Sequence, residues 1–152
     1  MKKFVSIILA VLVCFAATAA FADIAISFQI GNPRFSVNGL QLSIDAGRDE
    51  TVPVIIEDRT FLPIRAIAEA LGGEVDFSDM GGQKIVHINY NGSSISLVIG
   101  VQVAFKNGEA LSLDAAPVIL NDRTYVPARF IAENMGFEVD WDGATQTVTI
   151  SR

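Results

Sequence analysis

The sequence is poor in the side chains that metalloproteins and many enzymes use as ligands or nucleophiles. Its 152 residues contain one cysteine, Cys14, and one histidine, His87. Zinc sites take several cysteine, histidine or carboxylate ligands, and the common catalytic nucleophiles are thiols or work beside a histidine. The composition therefore argues against a histidine-bound copper or zinc centre and against the usual forms of nucleophilic catalysis.

Long apolar runs are scarce as well, and the one clear example lies at the N-terminus. Lys2 and Lys3 precede the apolar stretch Phe4–Ala17, and Ala20-Phe21-Ala22 matches the small-x-small rule for a cleavage site. We therefore predict a signal peptide over residues 1–22 that is cleaved after Ala22. The apolar stretch is shorter than a membrane span usually requires, so we expect release from this segment.

Cysteine is missing from the predicted mature chain, and positive charge is scarce. Removal of residues 1–22 leaves 152 − 22 = 130 residues, the size of one ordinary domain. These contain 17 acidic and 11 − 2 = 9 basic residues, a net charge of −8, which disfavours nucleic acid and anionic membranes as partners. Export without a disulfide is typical of a bacterial envelope protein, so we expect a secreted protein at the extracellular face of the envelope.

What the chain does contain is one segment that occurs twice. Pro53–Phe77 recurs as Pro117–Trp141 without a gap, at a constant offset of 117 − 53 = 64 residues. The residues shared at that offset include the pairs Pro53 and Pro117, Asp58 and Asp122, Arg59 and Arg123, Thr60 and Thr124, Pro63 and Pro127, Arg65 and Arg129, Glu69 and Glu133, Gly72 and Gly136, and Asp76 and Asp140. An ungapped register of this length indicates an internal duplication.

The duplication extends over most of the mature chain as two half-repeats, about 24–88 and 93–150. Asn91-Gly92 lies between them, and this dipeptide favours a tight hairpin turn. We therefore expect the halves to be joined through one sheet, as a single domain over residues 23–152. The first half carries extra residues at Gly47–Thr51 and Met80–Gly82, whose polar or glycine-rich character predicts surface loops.

Each half reads as strand, tight turn, strand, helix and strand. Val54–Ile56 is a β-branched run typical of a buried strand, and Pro63 suits the first turn of a helix. The helix is predicted from an apolar face at i, i+3, i+4 and i+7 and from a glycine that ends it. These positions are Ile64, Ile67, Ala68, Leu71 and Gly72 in the first half, and Ala128, Ile131, Ala132, Met135 and Gly136 in the second. The predicted fold class is α+β, an antiparallel sheet twisted around short helices, built from two tandem pseudo-repeats with one helix each.

The repeated motif resembles that of a known family. It reads Asp-Arg-Thr-Tyr-Val-Pro-Ala-Arg-Phe-Ile-Ala-Glu over Asp122–Glu133 and is followed by Val139-Asp140-Trp141-Asp142. In this it is similar to the copper amine oxidase N-terminal-like domain, or stalk domain, of bacterial envelope proteins. The resemblance covers about Ile24–Ile150 and implies a small antiparallel sheet twisted around helix, outside the cell and often attached to other domains. It does not imply amine oxidation, which in those enzymes belongs to a different, much larger domain.

The charged and proline residues that recur in both halves form a structural repeat signature. They are Arg59, Pro63, Arg65, Glu69, Asp76, Arg123, Pro127, Arg129, Glu133 and Asp140. Arg65 and Arg129 each precede a glutamate by four residues, which allows an ion pair along one helix face. We interpret both arginines as structural groups that bind these glutamates, or Asp76 and Asp140, or carbonyls at a strand end. No residue is predicted to be catalytic or to bind a metal or cofactor.

The single histidine and two acidic segments are the remaining candidates for chemistry. His87 lies on the strand face opposite Val86 and Ile88, which predicts a solvent-facing residue. Asp76–Asp79 and Asp140–Gly143 each supply two carboxylates, whereas Ca²⁺ takes roughly six to eight oxygen ligands. We interpret both segments as structural turns.

These observations favour a secreted, non-catalytic stalk or binding module of the bacterial cell envelope. It would act through its surface or through exposed edge strands, which can pair with another chain. The expected partner is a cell-wall component or another envelope protein, with a homodimer as a further option. Two alternatives remain open: a metal-binding or enzyme-associated accessory protein, and an envelope structural protein that self-associates through its edge strands.

Overall fold

The computed structural model describes residues 23–152, and the signal peptide predicted over residues 1–22 lies outside this range. The described chain forms short strands and two helices. The strands are β1 (Ala25–Gln29), β2 (Arg34–Val37), β3 (Leu40–Ser43), β4 (Val54–Ile56), β5 (Arg59–Pro63), β6 (Glu74–Met80), β7 (Gln83–Tyr90), β8 (Ser93–Val98), β9 (Val103–Lys106), β10 (Glu109–Ser112), β11 (Val118–Leu120), β12 (Arg123–Pro127), β13 (Glu138–Asp142) and β14 (Thr147–Ser151). The helices are α1 (Ile64–Ala70) and α2 (Ala128–Asn134). Neither helix has the length and apolarity needed to cross a membrane.

The strands form three antiparallel sheets, and every sheet takes strands from both halves of the chain. The first sheet has the order β13-β14-β1-β2-β3, the second β10-β9-β8-β7-β6, and the third β11-β12-β5-β4. Strand β1 pairs with β14 at the other end of the chain, from Ala25 opposite Ser151 to Gln29 opposite Thr147. Antiparallel sheets with two short helices confirm the α+β class, but the exchange of strands between halves was not predicted.

The hairpin predicted at Asn91-Gly92 is confirmed. Asn91 has φ 47° and Gly92 has φ 76°, the left-handed pair of values that a two-residue hairpin turn requires. Tyr90 lies opposite Ser93 in the resulting pair of strands. Because β7 belongs to the first half and β8 to the second, the two halves are joined within one sheet.

The third sheet is centred on the antiparallel pair β5 and β12. Leu62 lies opposite Val126, and Phe61 lies opposite Pro127. Leu62 and Val126 are 126 − 62 = 64 residues apart, which is the offset of the duplicated segment. The strand pairing therefore brings two equivalent positions of that segment face to face.

Each helix packs its predicted apolar face into the protein interior. Ile67 and Ile131 are fully buried, and Gly72 ends α1 with φ 91° as predicted. The placement of the prolines in the first helical turn was wrong. Pro63 is the last residue of β5, with ψ 126°, and Pro127 occupies the same place in β12, with ψ 118°. Extended ψ values keep each proline in the third sheet, so each helix begins one residue later.

The larger of two hydrophobic clusters joins the sheets and the helices. Its fully buried members include Ile26, Phe28, Leu62, Ile67, Val86, Ile88, Leu97, Val126, Ile131 and Ile150. Burial of one such side chain contributes about 1.5–3 kcal/mol relative to full exposure. Because both halves contribute to the same cluster, neither half has an apolar interior of its own.

The interpretation of the two acidic segments as turns was also wrong. Asp76–Asp79 lies within β6 and Asp140–Asp142 within β13. The turns follow them, with Gly81 and Gly82 in the left-handed region after β6. The side chains of each segment therefore alternate between the two faces of a sheet and do not gather around one loop.

Candidate functional site

Two grooves of similar size lie beside the helices. Groove 1 has a volume of about 650 Å³ and is lined by residues that include Asp45, Arg65, Phe77, Ile119 and Arg123. Groove 2 has a volume of about 570 Å³ and is lined by residues that include Ile55, Arg59, Asp114, Arg129 and Trp141. Both volumes fall within the range of roughly 300–1,000 Å³ that is typical of small-molecule sites.

The two grooves are built from equivalent positions of the duplicated segment. In groove 1 the helix arginine and the edge-strand aromatic, Arg65 and Phe77, come from the first half, and the hairpin arginine, Arg123, comes from the second. Groove 2 reverses this, with Arg129 and Trp141 from the second half and Arg59 from the first. Each groove is therefore formed jointly by the two halves, which is a consequence of the mixed sheets.

Most of the predicted signature residues lie at these grooves. Pro63, Arg65 and Arg123 line groove 1, and Arg59, Pro127, Arg129 and Glu133 line groove 2. Glu69, Asp76 and Asp140 are not among the lining residues of either groove. The sequence identified these residues as structural, and nothing in it indicated that seven of them converge on two clefts.

The helix arginines bind the glutamates predicted from the sequence. Arg65 Nη1 lies 3.2 Å from Glu69 Oε1, and Arg129 Nη1 lies 3.0 Å from Glu133 Oε1. All four side chains are at least half exposed, so each ion pair contributes only about a few tenths of a kcal/mol to stability. Within residues 23–152 neither arginine bonds Asp76 or Asp140, so that part of the prediction was wrong.

The hairpin arginine of groove 1 is held by a carboxylate. Arg123 Nε donates to Asp45 Oδ2 at 2.7 Å, and the Thr51 hydroxyl donates to the same oxygen at 2.9 Å. We call these three residues the Asp45 clamp. The hydrogen bond from Arg123 lowers the pKa of the Asp45 carboxyl below its ordinary value. Thr51 is only 3% exposed, so the prediction of a surface loop is wrong at this residue.

A tyrosine adds a second contact to the loop beside the Asp45 clamp. Tyr125 donates its hydroxyl hydrogen bond to the Val52 carbonyl at 3.0 Å, and burial raises the pKa of that hydroxyl. The equivalent residue in the other half is Phe61, which has no hydroxyl and is buried. Gly47–Thr51 has no counterpart in the second half. The extra loop and its tyrosine partner thus occur together, at groove 1 alone.

In groove 2 the equivalents of Arg123 and Asp45 are Arg59 and Asp114, and these two side chains do not form an ion pair within residues 23–152. Arg59 donates to the Glu57 carbonyl at 3.0 Å, and no carboxylate within residues 23–152 binds it. Asp114 occupies the place of Asp45 in the second half. In the described range, only the backbone carbonyl of Asp114 accepts a side-chain hydrogen bond, from Gln102 at 3.2 Å. A guanidinium and a carboxylate therefore remain free to bind a ligand.

The aromatic residues of the two grooves also differ in their surroundings. Phe77 is 49% exposed, and the Arg65 guanidinium lies over its ring at 5.6 Å from the centroid. Trp141 is 42% exposed and is the only tryptophan of the protein. Across residues 23–152, no cation lies over the indole ring, and the side-chain hydrogen bonds of the adjoining turn, which are made by Asp142, do not use the indole N–H. Groove 2 thus presents an open aromatic face with an available donor.

The single histidine lies on the outer face of the second sheet, as predicted. Its side chain is half-buried, and both ring nitrogens are engaged. Nε2 shares a hydrogen bond with the Ser78 hydroxyl at 2.8 Å, and Nδ1 shares one with the Ser96 hydroxyl at 3.1 Å. In the described part of the chain, no three histidine, cysteine or acidic residues are placed to hold one metal ion.

The fold and its grooves define a small antiparallel domain with open clefts on its surface. The family model for the copper amine oxidase N-terminal domain matches residues 45–150, which is more than half of the 152 residues. The chain therefore belongs to this family, and the resemblance noted in the sequence is confirmed. In copper amine oxidases this N-terminal domain is an accessory, non-catalytic domain. Comparisons with curated proteins and with solved structures give no match.

Proposed function

We propose that the protein is a secreted, non-catalytic binding module of the bacterial cell envelope, which holds a wall component in groove 2. The observation that carries this proposal is the exposed Trp141 ring beside the free side chains of Arg59 and Asp114. Binding sites typically combine an apolar surface with a few convergent polar groups that orient the ligand. Family membership and the predicted signal peptide support the same role.

We further infer that the architecture arises from two half-repeats, about 24–88 and 93–150. The pairing of Leu62 with Val126 and the equivalent composition of the two grooves support this inference. A duplicated scaffold supplies two similar clefts, and the extra loop at Gly47–Thr51 makes them different. One cleft then serves structure through the Asp45 clamp, and the other remains available for binding.

The proposal is tested with the mature protein and cell walls isolated from the organism that encodes it. We expect the exported chain to begin at Asp23 by mass spectrometry and to sediment with the walls. Trp141→Ala should abolish this retention, while Phe105→Ala should not, because Phe105 is an exposed aromatic outside both grooves. Equal retention of wild type and Trp141→Ala would contradict the role of groove 2.

Self-association is a second candidate function, favoured by strand β3. This strand is the outer strand of the first sheet and carries no charge. Its Leu40 and Leu42 are 65% and 39% exposed. Uncharged open edges tend to pair with further strands. If β3 mediates a dimer, light scattering of the mature protein should show twice the monomer mass, and Leu40→Lys should restore the monomer.

A further inference from the structure

Groove 2 offers hydrogen-bonding groups of both kinds with almost no net charge. Its charged lining residues are Asp58, Arg59, Asp114, Arg129 and Glu133, which sum to 2 − 3 = −1. Thr60, Ser112 and Asn134 add neutral donors and acceptors. A polyanion would meet this site, and a mature chain of net charge −8, without compensating attraction. The charge balance therefore favours an uncharged ligand that carries many hydroxyl or amide groups.

The apolar groups of groove 2 further restrict the chemical class of the ligand. The open indole of Trp141 is a flat surface on which the C–H face of a pyranose ring can stack, and its N–H remains available as a donor. Ile55 is exposed and lines the same groove, so a small apolar substituent such as an acetyl methyl group can lie against it. Planar guanidinium and carboxylate groups can each bind two neighbouring polar atoms of a sugar.

We propose that groove 2 binds a neutral glycan of N-acetylated hexosamine units, with one sugar ring stacked on Trp141 and its polar groups bound by Arg59 and Asp114. This inference rests on the proposed binding function and specifies its ligand. We assign the glycan to groove 2 and not to groove 1, because Arg123 of groove 1 is bound to Asp45 and the Arg65 guanidinium already interacts with one face of the Phe77 ring. The two grooves thus differ in function although they derive from equivalent residues.

The test uses Trp141 as an internal reporter. Because the protein has no other tryptophan, any change in indole fluorescence originates in groove 2. Titration of the mature protein with a soluble oligomer of N-acetylglucosamine should give a saturable blue shift. The apparent affinity should change little with salt, because the ligand carries no charge to be screened. Polygalacturonate and a proline-rich peptide serve as anionic and peptide probes and should give no saturable shift.

Variants assign the binding to the proposed residues. By calorimetry, Trp141→Ala should weaken binding of the oligomer about tenfold or more, the loss of roughly 1.4 kcal/mol expected for an aromatic contact. Arg59→Gln should weaken it by a smaller factor, and Phe77→Ala, the matched change in groove 1, should leave it unchanged. Thermal melting and circular dichroism of each variant establish that the fold is retained.

Three results would overturn the glycan assignment. One is equal loss of binding in Phe77→Ala and Trp141→Ala. Another is a saturable response to polygalacturonate or to the peptide together with none to the oligomer. The third is retention on cell walls that depends on Trp141 while no neutral oligomer binds, in which case the proposed function stands and its ligand is wrong. If the wild-type mature protein neither sediments with cell walls nor binds the oligomer, both the proposed function and the glycan assignment are wrong.

Discussion

At the scale of single residues, stability depends on side chains that occupy equivalent places in the two halves. Ile67 and Ile131 are fully buried in the shared core. Replacing either by alanine should lower the free energy of unfolding by about 2–4 kcal/mol, through lost burial and the cavity left behind. Ile55→Ala is the matched control, since Ile55 is exposed, and should cost less than about 1 kcal/mol. Urea denaturation measures all three, and similar small effects would contradict the described packing.

The Asp45 clamp makes stability dependent on pH. The folded-state pKa of Asp45 is lowered chiefly by its hydrogen bond from Arg123, so its contribution is present above the ordinary aspartate pKa and is lost as pH falls through the lowered value. Asp45→Asn should therefore lower the free energy of unfolding at neutral pH by about 1 kcal/mol. The difference from wild type should shrink at a pH below about 4, where the unfolded-state carboxyl is protonated.

The control for this prediction is Glu69→Gln. That residue belongs to an exposed ion pair with Arg65, so its replacement should cost only a few tenths of a kcal/mol at neutral pH. Chemical denaturation over a series of pH values separates the two cases. A pH-independent difference between wild type and Asp45→Asn would mean that the Asp45 charge does not stabilise the fold.

At the scale of elements, the tight turns of the third sheet carry backbone strain. Glu57 and Asp58 have φ 48° and 64°, and Asn121 and Asp122 have φ 49° and 63°. Both turns are thus of the left-handed kind that matches the twist of paired strands. Non-glycine residues adopt this conformation at a cost, which aspartate and asparagine reduce through local hydrogen bonds.

Asp58, the second residue of the turn between β4 and β5, gives a direct test of this strain. Asp58→Gly should raise the free energy of unfolding by about 0.5 kcal/mol, and the melting temperature with it, because glycine adopts positive φ freely. Asp58→Ala should lower stability by about 1 kcal/mol, because alanine adopts the left-handed conformation less readily than aspartate does. Asp58 is exposed, so packing changes little in either variant. Equal melting temperatures for the two variants would show that the turn stores no strain.

At the scale of the whole molecule, the exchange of strands makes the two halves interdependent. The first sheet needs β14 from the second half, and the second sheet needs β6 and β7 from the first. Each helix has seven residues, too few to be stable in isolation. A half-repeat alone would therefore expose both unpaired strand edges and an open core.

We expect a chain divided at Gly92 to fold only when both pieces are present. The fragments 23–91 and 93–152 should each be unfolded or aggregated alone, and should regain a native circular dichroism spectrum when refolded together. The reason is that pairs such as β1 with β14 form between fragments and do not depend on the covalent link. Separate cooperative melting transitions of the two isolated fragments would contradict this interdependence.

Much of the local structure was predictable because it depends on neighbouring residues. The apolar spacing of Ile64, Ile67 and Leu71 defined the buried face of α1, and Asn91-Gly92 defined a hairpin. The acidic segments were misread as turns because carboxylates are common in loops, whereas paired strands hold Asp76 and Asp140 in β6 and β13. The alternation that places Trp141 in phase with Val139 indicates an inward side chain, and nothing local shows that the edge of the sheet leaves it uncovered.

The sequence by itself determined the helices, the Asn91-Gly92 hairpin, the repeated segment and the family, since periodicity, turn residues and repeated motifs are properties of short segments. The tertiary structure alone decided which strands pair, because β1 meets β14 through contacts between residues more than a hundred positions apart. It also decided the difference between the grooves. Arg59 and Arg123 are equivalent in sequence, yet within residues 23–152 Arg123 pairs with Asp45 and Arg59 does not pair with Asp114, the equivalent of Asp45. The folded Gly47–Thr51 loop brings the Thr51 hydroxyl to the Asp45 carboxylate. The second half has no such loop.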